Sequence, residues 1–366
     1  MSTPMRVVLI GAGTRARKLY LPWLNGAFGA RVAAAELVAV IDRDQHTLDH
    51  DGHRFAGTVA GPADIDQVLV DTEPDLVVIA TPDAEHRHFV ERALAARCAA
   101  LVEKPLATTI DDAVALAHAG MQGGAVLLVA HNLRFTNVHT QVHQMLADGL
   151  IGTVADAEFH YRLNVSHSAS YFQRWHRRRA ASGGLEVTKA CHHLDLLAWW
   201  LHAHPSTVTA TLQHRHYKPD DPMLLPGTDI HDTIAADIAY DTGAYARYTL
   251  TTNADDEGYT CHLFGTAGTL TIHYDAHAGP HLIDLRPHNG PGARYQIPRE
   301  PGTHAGADTA MLAALPAAVT DQHSMAFATA ADAARAVATG ATMHPASLTH
   351  HPLPIPDPTT TFGASR

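Results

Sequence analysis

The stretch VVLIGAGTRAR, residues 7–17, decides how this chain folds. A short apolar run breaks into Gly11, Gly13 and Ala16, the spacing GxGxxG/A set directly after a strand and at the mouth of a helix. Gly11 permits the tight turn, Gly13 lets the backbone approach a pyrophosphate, and Ala16 allows close helix packing, with Thr14 and Arg15 on the turn itself. The next apolar run, ELVAVID (36–42), ends in Asp42, a carboxylate placed to accept hydrogen bonds from both hydroxyls of an adenosine ribose. Asp42 would repel a 2′-phosphate, an effect that neighbouring Arg43 softens, so the expected cofactor is NAD, with NADP less favoured.

Outward from this turn, RVVLI (6–10), ELVAVID (36–42), DLVVIAT (75–81), ALVEK (100–104) and AVLLVA (125–130) are apolar throughout, as buried parallel strands are. Helical patterns near 14–25, 63–72, 83–96 and 109–120 separate them, which predicts a Rossmann-type doubly wound parallel sheet. From about residue 150 the period changes to two in VADAEFHYRLNV, STVTATLQHRHY, IAADIAY, AYARYTLTT, YTCHLFG and GTLTIHY. A C-terminal α+β domain with a large, mostly antiparallel sheet is expected, with a helix at about 185–202 and an alanine-rich one near 326–341. A chain of 366 residues exceeds what one core usually organises, and the division is expected as 1–130, binding NAD, and 131–366, binding substrate.

Composition narrows the function classes. The formal charge is −11 with no basic cluster large enough to track a phosphate backbone, so nucleic acid is not an expected partner. The three cysteines, Cys98, Cys191 and Cys261, form no CxxC, and no run of about 18 apolar residues occurs, so disulfides and a membrane span are not expected and a reducing cytoplasm is. Histidine is abundant at 29 residues, yet the pairs lack carboxylate or cysteine spacing, and no metal is expected.

A second chemical signal is Glu103-Lys104-Pro105 at one predicted strand end, downstream of Ala80-Thr81-Pro82 at another. Ligands bind at the carboxyl ends of strands in open α/β sheets, so Lys104 faces the cofactor crevice. The helix at 185–202 sets Lys189, His192, His193 and Asp195 three or four residues apart, as if on one face.

With GAGxxA, the ATP strand end followed by His86, and VEKPLA in hand, the chain resembles the glucose-fructose oxidoreductase, inositol dehydrogenase and MocA family. HNLRF (131–135), SGGLEVTKACHHLDLLAWW (182–200) and GTAGTLTI (265–272) are similar to its second-domain landmarks. The resemblance implies hydride transfer between nicotinamide and a secondary alcohol or ketone of a sugar, glycoside or cyclitol. It implies that Lys104 bonds the reacting oxygen, that His192 carries a proton, and that Thr81, Pro82, His86 and Glu103 border the cofactor. Where inositol-type members carry an aspartate, this chain has Thr188 followed by Lys189, a third catalytic candidate.

Candidate substrate contacts are Asn132, Arg134, Tyr161, His167, Tyr171, Arg174, Trp175, His176, Lys189, His193, Asp195 and His231, since rings stack on sugar faces and forked donors bind hydroxyls. The run Arg177-Arg178-Arg179 reads as a solvated face. Members of the family pair through the second-domain sheet, so a homo-oligomer is expected. Two alternatives stay open: an oxidation–elimination enzyme that recycles its NAD, and a non-catalytic nucleotide- or sugar-sensing regulator.

Overall fold

The computed structural model describes residues 3–44, 58–218, 221, 224–320 and 327–360. Six parallel strands, β1 (Met5–Ile10), β2 (Ala35–Ile41), β3 (Thr58–Ala60), β4 (Leu76–Ile79), β5 (Ala99–Val102) and β6 (Leu127–Val129), lie in the order β3-β2-β1-β4-β5-β6. The order reverses between β1 and β4, which opens a crevice at their carboxyl ends. Both faces are covered, which is why the strands are apolar throughout. Val7, Leu9, Val40 and Val78 point into one core and Val8, Ile10, Ile41 and Val77 into another.

The second sheet has nine strands: β7 (Val154–Asn164), β8 (Pro205–Gln213), β9 (Thr233–Tyr240), β10 (Tyr245–Ala254), β11 (Gly258–Gly265), β12 (Gly268–Asp275), β13 (His281–Pro287), β14 (Ala293–Ile297) and β15 (Leu353–Pro354). Their order is β14-β13-β12-β11-β7-β10-β9-β8-β15, and β7 with β10 is the parallel pair in an otherwise antiparallel arrangement. Strands β3, β13, β14 and β15 were not anticipated, being short or too polar to show a buried run.

Two departures from the sequence pattern shape the site. The expected helix at 185–202 breaks into Leu185–Thr188 and Cys191–Leu201, with Lys189 and Ala190 at the joint. The helix Ala307–Thr320 was not anticipated, because Pro316 lies inside it and proline reads as a breaker. It forms because Met311, Leu312 and Leu315 pack with Val7, Leu9 and Trp23, so this late segment covers the first sheet. The alanine-rich helix runs over Ala330–Thr349, and residue 326 of its expected span lies outside the described residues.

That helix sits between the two sheets. Ala333, Ala334 and Val337 join a core of the first, and Ala336, Ala338, Met343 and Ala346 the core of the second. Small side chains permit the approach, and at Gly340 a Cβ would overlap the Glu186 carbonyl. The turn holding residues 186–188 is thereby pressed toward the crevice.

Candidate active site

Gly11 ends β1 at φ +89°, and a Cβ there would meet the Ala80 carbonyl oxygen at 2.7 Å, so glycine is required where the turn abuts β4. Gly13 has open space where its Cβ would stand. The Asp42 carboxylate accepts from the Ala12 N–H at 2.7 Å through one oxygen and from the Asp44 N–H at 2.8 Å through the other. Asp42 thus shapes the glycine turn as well as facing the crevice.

The two strand-end signals meet through His86. Its Nδ1 lies 2.8 Å from the Pro105 carbonyl oxygen and its Nε2 3.3 Å from that of Thr81. Burial lowers the pKa of this ring. His86 therefore ties two loops together from behind, and Ala16 is likewise fully buried. The other proposed cofactor contacts, Gly11, Gly13, Thr14, Arg15, Asp42, Arg43, Thr81, Pro82, Glu103 and Lys104, all line one crevice of 1010 Å³.

Glu103 accepts from Arg15 Nε at 2.6 Å and the Tyr20 hydroxyl at 2.8 Å. Burial alone would raise its pKa, but Arg15 and these bonds outweigh it and hold the carboxyl below its usual value. Arg15 also grips Asp308 with two bonds of 2.9 and 2.8 Å. Asp308 in turn accepts from Asn132 Nδ2, Thr303 Oγ1 and His304 Nδ1 at 2.7, 2.6 and 2.8 Å. The glycine turn, the loop after β6 and the late helix are so joined by one carboxylate that burial opposes and its partners keep ionised.

Also lining the crevice, Lys104 Nζ donates to the Thr188 carbonyl at 3.0 Å. His192 and Lys189 line the same space. Burial first, then the charge of Lys104, pushes the His192 pKa well below 6.5, and its Nδ1 is buried without a partner among the described residues. Lys189 Nζ lies 3.3 Å from Glu257 and 5.1 Å from the centroid of the Tyr161 ring. Burial lowers the pKa of this lysine while Glu257 opposes the shift.

Of the proposed substrate contacts, Asn132, His167, Tyr171, Arg174, Trp175, His176 and Lys189 line the crevice. Trp175 and His176 stack with centroids 3.6 Å apart, and Arg174 reaches Thr14 Oγ1 at 3.3 Å, carrying this segment over to the glycine turn. Five others are placed elsewhere. Arg134 and Asp195 hold each other through two buried bonds of 2.8 and 2.6 Å. His193 Nδ1 contacts the Tyr248 hydroxyl at 2.9 Å within the second core, and Tyr161 donates to Glu257 at 2.7 Å. His231 lies beside Arg179, His214 and His344.

The expected single face bearing Lys189, His192, His193 and Asp195 is therefore corrected. The break after Thr188 resets the helical phase, and buried polar groups found partners on other elements. Arg179 corrects the solvated-face reading: it turns inward and pairs with buried Glu186. Ligand atoms of Glu186, His231 and His344 lie within 4.8 Å of one another, but the Arg179 guanidinium already bonds Glu186 and approaches His231 Nδ1 at 3.3 Å, supplying the charge a metal ion would.

Three acids were missed. Asp83 gave a positional hint, standing between Pro82 and His86. Glu257, which gathers Tyr161, Asn164, His167 and Lys189, and Asp308 gave none, because their partners lie 68 to 96 and up to 293 residues away.

An orphaned set of polar atoms tests whether a dinucleotide fits. Thr81 Oγ1, Asn132 Oδ1 and His192 Nδ1 are buried on crevice-lining residues and have no hydrogen-bond partner among the described residues. Together with the open face at Gly13 and the free end of the crevice at Asp42, they suit a long polar ligand.

Comparison with known proteins matches residues 5–131 to a model described as an oxidoreductase family with an NAD-binding Rossmann fold, and residues 139–271 to the GFO/IDH/MocA C-terminal domain. The chain is 26% identical over 326 residues to the putative oxidoreductase YteT of Bacillus subtilis strain 168, covering 72% of this chain and 76% of that one. It is 27% identical over 271 residues to the 1,5-anhydro-D-fructose reductase of Ensifer adhaerens, covering 72% and 74%. Among solved structures, levoglucosan dehydrogenase in complex with NADH and levoglucosan superposes with a TM-score of 0.81 over 97% of this chain and 100% of that one, at 18% identity. Among the described residues no helix is long and apolar enough to cross a membrane.

Proposed function

The chain belongs to the GFO/IDH/MocA oxidoreductase family, and from that premise we propose that it oxidises or reduces a single ring position of a sugar, glycoside or cyclitol, using NAD. The observation that carries this reading is one continuous crevice lined both by the glycine turn and Asp42 and by Lys104, Lys189 and His192. Gly11, Gly13, Thr14, Asp42, Thr81 and Pro82 would hold the cofactor, whose nicotinamide supplies the hydride chemistry when bound.

The chain's own part is the proton. Lys104 donates one N–H to the Thr188 carbonyl and lines the crevice. As an ammonium it would donate to a substrate carbonyl oxygen; as an amine it would accept a hydroxyl proton. His192, held neutral, is suited to hydrogen-bond the reacting oxygen or the adjacent hydroxyl. The stacked Trp175 and His176, with Tyr171 and Arg174, offer faces and forked donors to a polyol. Asp42 supports NAD over NADP, because a 2′-phosphate would meet a carboxylate already fixed by two backbone N–H groups. A cytoplasmic setting and pairing of two copies through the second sheet belong to the same reading.

The relatives support a carbohydrate-type substrate: one is named for reduction of 1,5-anhydro-D-fructose, and a structural neighbour is complexed with levoglucosan. A panel of aldoses, anhydrosugars, glycosides and cyclitols, followed by NADH absorbance with NAD and with NADP, tests the reading. Turnover of one or more with NAD is expected. NAD binding without turnover of any member in either direction would overturn it.

A further inference from the structure

Asp83 follows Pro82 at the end of β4, is 7% exposed, and lines the crevice. Its Oδ2 accepts from Thr188 Oγ1 at 2.7 Å, and the carbonyl of the same Thr188 accepts from Lys104 Nζ at 3.0 Å. One residue thus touches both a buried carboxylate and the crevice lysine. Among the described residues no cation lies within ion-pair distance of Asp83.

The neighbouring charged groups are committed elsewhere. Glu103 is held by Arg15 and Tyr20, and Lys189 by Glu257, which also binds His167. On the second-domain elements, burial and then the charge of Lys104 push His176 and His192 toward their neutral forms, and His167 shifts the same way. His86 and His131, packed on the first-domain side, are pushed down by burial too. The Tyr171 hydroxyl and Cys191 thiol, which also face Asp83, are pushed up and stay uncharged. Arg174, also on the crevice, reaches Thr14 instead, and Lys104 is the cation whose charge acts on Asp83.

Resting on the function proposed above, we propose that Asp83 and Lys104 titrate as one coupled pair joined through Thr188, with Asp83 the positioning residue: its carboxylate holds Lys104 as an ammonium, and its protonation frees Lys104 to shed a proton and then take that of a substrate hydroxyl. In this step Asp83 takes a proton from solvent and Lys104 gives one to solvent, so that one O–H bond forms as one N–H bond breaks; an ammonium and a carboxylate become an amine and a carboxylic acid, and no electrons change hands. Oxidation then leaves the hydroxyl proton on Lys104. Reduction runs the same exchange backwards. Burial pushes the Asp83 carboxyl up to about 7, against the pull of Lys104 and Thr188.

The experiment reads Lys104 directly and needs no substrate. The full-length protein is pulse-labelled with trace acetic anhydride at stepped pH, and acetylation at Lys104 is measured by mass spectrometry against exposed Lys218, in the parent, Asp83→Asn, Asp83→Glu and Thr188→Val proteins. The parent is expected to show a break in the Lys104 curve near neutrality, where Asp83 titrates. Asp83→Asn keeps an acceptor for the Thr188 hydroxyl but removes the charge, and should abolish the break and move the Lys104 curve to lower pH by about one unit or more. Asp83→Glu should restore the break, and Thr188→Val should weaken it. A parent curve that runs parallel to Lys218 overturns the proposal even if no variant folds, and so do superimposable curves for the parent and Asp83→Asn. If the curves shift but no polyol is oxidised, the proton pair stands and the dehydrogenase reading falls; if polyols are oxidised and the curves do not shift, the pair alone falls.

Discussion

Acidification from pH 7.5 to 5 should destabilise this protein through its buried histidines, and the size of the effect follows from three of them. His139 is fully buried, its Nδ1 lies 2.7 Å from the Leu133 carbonyl, and burial lowers its pKa from 6.5 to about 3. His192 and His193, 6% and 2% exposed, are pushed well below 6.5 by burial and by neighbouring lysines. The folded pKa of each is depressed, so the unfolded chain binds the proton first. The stability they confer is whole above about pH 7.5 and is lost as pH falls through the unfolded value toward the folded one. At pH 5 each histidine held neutral costs about 2 kcal/mol relative to pH 7.5.

Asp83 works in the opposite sense. Its folded pKa, raised to about 7, makes its ionised form unfavourable at pH 7.5, and protonation at pH 5 returns about 2 to 3 kcal/mol. From these four groups the net loss is about 3 to 4 kcal/mol, which for a chain of 366 residues lowers the melting midpoint by about 4–5 °C, and His176, His231 and His281, with folded pKa values of about 3, 4 and 4, add to it. His86 and His131 shift in the same direction as the three and deepen the loss. Calorimetry of the cofactor-free protein at the two pH values measures it, and histidine ring NMR should show His139 neutral at pH 5. A midpoint that moves by less than about 1 °C would refute the reasoning.

Lys104→Ala should lower turnover by about 10² to 10⁴-fold while the NAD dissociation constant changes little, read by steady-state kinetics and by fluorescence titration. Arg134→Leu leaves the Asp195 carboxylate buried without its two-bond partner and should cost about 3–5 kcal/mol in urea unfolding, with Arg134→Leu/Asp195→Leu recovering much of it. Asp42→Ala should narrow the preference for NAD over NADP, and because the Ala12 N–H also loses its acceptor, NAD itself should bind more weakly. Equal affinities of the parent protein for the two cofactors would refute the role given to Asp42.

Local chemistry made much of this protein legible in its sequence. A glycine at φ +89° against the Ala80 carbonyl cannot be replaced without overlap, so the turn at Gly11 is written in residue identity. Strands covered on both faces must be apolar throughout and strands covered on one must alternate, so the change of period near residue 150 separated the two sheets. The position of Lys104 and His192 on the crevice was legible because a strand end and a resemblance point there. What remained hidden depends on distant partners. The Arg15–Asp308 contact spans 293 residues, and Glu257 collects side chains from three other elements. Helix Ala307–Thr320 folds despite Pro316 because an uncovered sheet face rewards its leucines. His193 and Asp195 have the spacing of site residues, yet they turn to Tyr248 and Arg134, since a buried polar group goes to whichever partner the packing brings near. Sequence sets each residue's chemistry and local period, whereas the choice among equally suitable polar partners is made by tertiary packing, through distances that no local pattern encodes.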